Sequence, residues 1–112
     1  MVFSITAATV PSKPAIPVTS LNGDSTKVVI NWALPTDLGG LSIDGYKVEV
    51  KTSTTTFAKD LTDCDAESDS LIIQATSCSI PITTLRASPF DLGDGASVEA
   101  RVVAFNTIGD SA

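Results

Sequence analysis

The sequence predicts an all-β sandwich, and three observations carry that expectation. Val28, Ile30 and Trp32 alternate with more polar neighbours, and so do Tyr46, Val48 and Val50, the period of two that a strand with one buried face requires. Between these runs stand Pro35, Asp37, Gly39, Gly40 and Gly45, residues that end a strand and turn the chain. Aromatic residues make up only 5% of the chain, so burial must come from Val, Ile and Leu on sheet faces, and no helix is expected anywhere. At 112 residues the chain reads as one domain, with room for a core but not for a separately built, enclosed active site.

The segment from Val29 to Val50 resembles the second and third strands of a fibronectin type III domain. The likeness rests on Trp32, on the Pro35 and Gly39-Gly40 connection, and on Gly45-Tyr46-x-Val48-x-Val50. It implies an immunoglobulin-like sandwich over nearly the whole chain, of the kind found in extracellular or surface-exposed interaction modules. The other elements follow in order. Residues 1–10 alternate, with Phe3, Ile5, Ala7 and Thr9 on one side, and read as a strand ahead of where such a domain should begin. Pro11, Pro14 and Pro17 make residues 11–17 a stiff, extended linker. The sandwich proper is then residues 18–112. Its first strand is residues 18–22, with Leu21 inward, and Gly23-Asp24 turns the chain into the second strand.

After the third strand, residues 51–56 form a polar β-branched edge whose Ser53 to Thr56 run could also carry O-linked sugar, and residues 57–61 form a short fourth strand. Residues 77–85 resemble the fifth strand, with Ile80, Ile82 and Leu85 apolar; Pro81 requires that strand to lie at an edge. Phe90 and Leu92 plug the long connection of residues 86–97. Residues 98–106 are the sixth strand, with Val98, Ala100, Val102 and Ala104 inward. Val98 stands where the family carries a tyrosine that ties down the corner. Holding that corner therefore falls to Phe90, Leu92 and a disulfide. Asn106-x-x-Gly109-x-Ser111 resembles the turn into the family's last strand, and the chain stops at Ala112.

Cys64 and Cys78 are spaced to close a loop worth about 3 kcal/mol if they pair, and the alternative is two separate thiols in a reducing compartment. Their spacing excludes a CxxC redox pair, and zinc would lack its other ligands. Asp63, Asp65, Glu67 and Asp69 invite a calcium reading, but an EF-type loop counted from Asp63 would need Gly and Glu where Ser68 and Gln74 stand. A solvated acidic loop is expected, with no metal and no cofactor. Histidine is absent, which removes catalytic triads and the commonest general base, so no enzymatic activity is expected. The net charge of −6 argues against nucleic acid and anionic membrane as partners. No apolar run is long enough to cross a bilayer, and residues 1–10 lack the pattern of a secretion signal.

The two ends raise the question of assembly. Residues 106–112 followed by residues 2–10 read as a turn, a last strand and a linker, so the family's strands are all present in a shifted register. Either residues 1–10 are the last strand of a preceding repeat in a tandem array, or Val2, Phe3, Ile5, Ala7 and Thr9 are donated into the vacant slot of a neighbouring copy. Self-insertion would need to cross on the order of 30 Å with a linker reaching at most about 23 Å. The expected function is that of an extracellular or cell-surface structural module, a filament subunit or array repeat whose partner is another copy of itself or an adjacent domain. The alternative is a ligand-binding adhesion domain using residues 36–42 and 107–110.

Overall fold

The computed structural model describes residues 8–93 and 96–111. Two antiparallel three-stranded sheets enclose one core. The first sheet has the order β1 (Val18–Leu21), β2 (Lys27–Asn31), β5 (Ser77–Pro81). The second has the order β4 (Phe57–Ala58), β3 (Gly45–Lys51), β6 (Ala100–Phe105). This is the arrangement of a β-sandwich, and alternation explains why it closes. Val28 and Ile30 of β2 point inward with Cys78 and Ile80 of β5, meeting Tyr46, Val48 and Val50 of β3 and Val102 and Ala104 of β6. Trp32, just past β2, is buried and meets Tyr46 edge-on at 5.5 Å between ring centres. Asn31 pairs with Ser77 at one pole and Lys27 with Pro81 at the other, so the poles are called upper and lower here.

The expectation of no helix fails twice. α1 (Ser70–Ala75) grows from Asp69, whose carboxylate accepts the Leu71 amide at 3.0 Å, and ends at Thr76 in a left-handed conformation, φ 51°. Within it Ile72 and Ile73 rest against the core while Leu71 stays exposed. α2 (Ile82–Arg86) replaces the second half of the expected fifth strand. Pro81 ends β5, an edge strand, and opens the helix with φ −58°, the value its ring enforces. Leu85 thus reaches the core from a helix, and Ile82 only partly covers it.

Leu21 is a further correction. It pairs with buried Val28 and so belongs to the inner face, yet it is 58% exposed because nothing among the described residues covers that end of β1. At the same end Val98 and Ala100 are only partly buried. Phe90 is buried and Leu92 packs against the core, with the Leu92 amide bonded to the Leu85 carbonyl at 2.9 Å, which fastens the connection ahead of β6. The disulfide does not share that task. Cys64 and Cys78 are joined, with Cα atoms 5.3 Å apart, but Cys78 lies opposite Ile30, toward the upper pole.

Candidate functional site

The feature that stands out is the free side of β6. Its register with β3 is complete from Gly45–Phe105 to Val50–Ala100. On its other side, among the described residues, the turn after Phe105 brings back Asp110, bridged to Phe105, and Ser111. The Ser111 amide donates to Ala104 at 2.7 Å, and its hydroxyl accepts the Ala104 amide at 3.0 Å. Toward Ala100 no strand among the described residues continues this pairing. An edge of this kind presents backbone donors and acceptors ready to take another strand.

At the lower pole, next to the connection that enters β6, the two layers gape. A cleft of about 210 Å³ is lined chiefly by the apolar side chains of Leu21, Val28, Ile82, Leu85, Leu92 and Val98, with Arg86 also on its wall. The Thr19 hydroxyl bridges to the Val98 carbonyl at 3.2 Å, and it is a thin tie across the opening. The cleft floor is closed core, whereas its rim at Leu21 is open.

The upper pole is built differently. Residues 9–12 do not run free as a linker, because they are bonded into the two loops above the sheets. The Thr9 amide donates to the Gly39 carbonyl at 2.9 Å and the Ser12 amide to the Asp37 carbonyl at 2.8 Å. The Asp37 amide returns a bond to the Ser12 hydroxyl at 3.1 Å. Asn106, buried, donates from its side-chain amide to the carbonyls of Thr9 at 2.8 Å and Leu38 at 3.1 Å. Its side-chain oxygen accepts the amides of Ile108 and Gly109, which shapes the turn. Pro11 is fully buried beneath. Gly39 has φ +76°, and a Cβ there would fall 2.1 Å from the Thr9 carbonyl oxygen, so only glycine permits this approach.

This corrects one expectation and leaves others outside what can be described. Both backbone groups of Thr9 are already engaged by its own sandwich, so Thr9 is not a free donor residue. Val2, Phe3, Ile5 and Ala7 lie outside the described residues. The loops that a ligand-binding reading would use are partly occupied as well. Asp37 and Gly39 hold residues 9–12, and Asp110 pairs with Lys47 at 2.7 Å, a bond that raises the Lys47 ammonium above its ordinary value.

In the acidic loop, Asp65 accepts the Ser68 hydroxyl and the amides of Glu67 and Ser68, and these bonds, led by the hydroxyl, lower its carboxyl below the ordinary value. Its lone pairs serve the turn, as those of Asp69 serve α1. Among the described residues no three His, Cys, Asp or Glu converge as metal ligands, and no helix is long and apolar enough to cross a membrane. The Thr52, Thr54 and Thr56 hydroxyls bond to one another, with Thr52 buried, which accounts for this polar turn without any ligand.

No protein-family model matches the chain, and no curated protein does. Among solved structures, that of titin kinase and its flanking domains is similar over 94% of this chain, with a TM-score of 0.59 and 22% identity. This chain spans 16% of that one. At such identity the likeness speaks for the fold.

Proposed function

We propose that this chain is a non-enzymatic structural module of the fibronectin type III kind, a subunit or repeat of an extracellular or cell-surface filament. Copies join head to tail when an extended segment of one copy, residues 2–7, lies along β6 of the next. The observation that carries this reading is the β6 edge, unpaired toward Ala100 among the described residues, together with a largely apolar cleft at the same lower pole whose rim residue, Leu21, is 58% exposed. Strand addition satisfies both needs at once, because backbone pairing occupies the edge and alternate side chains fill the cleft.

The turn at Asn106 to Gly109 sets the direction. Asp110 and Ser111 start back antiparallel to β6, and a strand that continues their path runs from the upper to the lower pole. In this reading the alternating set Phe3, Ile5 and Ala7 is the one that fills the cleft beside Val98 and Leu21. A head-to-tail contact of this kind propagates unless its rotation closes a ring. The buried disulfide supports an oxidising, extracellular setting. Engagement of Asp37 and Gly39 by residues 9–12 favours this reading over ligand binding through the loops.

A synthetic peptide of residues 1–8, titrated into chain lacking those residues, tests it by NMR. Amide shifts should move along Ala100–Phe105 and at Leu21, and the complete chain should sediment as a concentration-dependent oligomer that the truncated chain does not form. A complete chain that stays monomeric and a peptide that moves no β6 amide would overturn the reading.

A further inference from the structure

We infer that the upper pole is a rigid seat for the lower pole of a second copy, so that neighbouring modules meet as touching bodies rather than as beads on a tether. This rests on the strand-donation reading, and it follows from how little chain separates two fixed points. Thr9 is held by Gly39 and Asn106. If Ala7 is held on the neighbour's β6, only Ala8 lies between, and two Cα steps span at most about 7–8 Å. No slack remains for a flexible joint, and the neighbour's lower pole must rest on the surface around Thr9.

That surface is suited to contact. Val10, Leu41 and Ile108 are exposed at the same pole. Val10 faces Gly109, beside Ile108, with a Cβ at that glycine falling 3.3 Å from its methyl group. Leu41 follows Gly40, which approaches Ala8. Three exposed apolar side chains thus lie near the point where the chain leaves its own sandwich, and a neighbour resting there would remove them from water. The donated strand runs downward, so what meets these side chains is the turn joining β1 to β2 and the connection before β6 of the next copy.

Two substitutions separate the seat from the slot. Ile108→Asp places a charge on an exposed position and leaves β6 and its cleft intact. It should weaken association of complete chains about tenfold or more while the peptide of residues 1–8 binds the truncated chain as before. Asn106→Asp keeps the oxygen that shapes the turn but removes the donors to Thr9 and Leu38. Amide exchange at Thr9 and Ser12 should quicken about tenfold or more, and small-angle scattering of the oligomer should change from a stiff rod to a bending chain. Peptide binding with an Ile108→Asp association constant equal to wild type would overturn the seat and leave the slot standing. A wild-type oligomer that already bends freely would do the same. Failure of the peptide to bind would remove both.

Discussion

The two poles of this sandwich solve the same problem by opposite means. At the upper pole the loops and the arriving chain satisfy one another: Thr9, Ser12, Asp37, Gly39 and Asn106 exchange backbone and side-chain hydrogen bonds, and Pro11 is sealed under them. At the lower pole the core reaches the surface through a cleft between Leu21 and Val98. A polar contact completes itself within one molecule when each donor finds an acceptor nearby. An apolar cleft is removed from water only by further apolar surface. Among the described residues, one end of the molecule is closed by its own hydrogen bonds, and the other leaves apolar side chains lining an open cleft.

That contrast can be broken at its floor first. Leu85→Ala removes a buried side chain beneath the cleft and should cost about 2–5 kcal/mol in urea unfolding. Leu21→Ala, at the exposed rim, should cost less than about 1 kcal/mol while abolishing most of the peptide response. Equal costs at the two positions would mean that the cleft is not open in solution. Replacing Cys64 and Cys78 by serine should lower stability by about 3 kcal/mol, a loss that reduction of the wild type should reproduce in thermal melts. Gly39→Ala tests the hydrogen-bonded end. Its positive φ alone costs about 1–2 kcal/mol, and the clash with Thr9 should release residues 9–12, seen as lost amide protection.

The smallest effect is a titration. The Asp65 carboxyl is lowered, so its contribution is present above the ordinary carboxylate value and is lost as pH falls through the lower, folded value. The amides of Glu67 and Ser68 should shift over that acid range, while those of Thr9 and Ser12, tied to uncharged carbonyls, should not follow the same curve.

Much of the sheet scaffold was legible in the chain because β2, β3 and β6 are half-buried strands, and alternation reports half-burial directly. Val28 to Trp32 and Tyr46 to Val50 show it plainly. The helices escaped for a local reason. α1 and α2 are six and five residues long, too short to display a helical period, and their Ile and Thr content reads as strand. Two signals were nevertheless there: Asp69 as an N-cap and Pro81 as a helix starter. Leu21 shows the other limit, since alternation places a side chain on a face but cannot say whether anything lies opposite. The clasp of residues 9–12 was not foreseeable from periodicity, because it depends on Gly39 and Asn106 arriving together from distant turns.

The cystine has a mechanical corollary for any module loaded through its ends. Cys64 and Cys78 lie 14 positions apart, so a pull transmitted along the backbone takes the covalent shortcut and leaves α1 slack. On the order of 40–45 Å of stretchable contour is withheld once the bridge's own span is subtracted, which in single-molecule extension would appear as a shorter step, restored when a reductant is present.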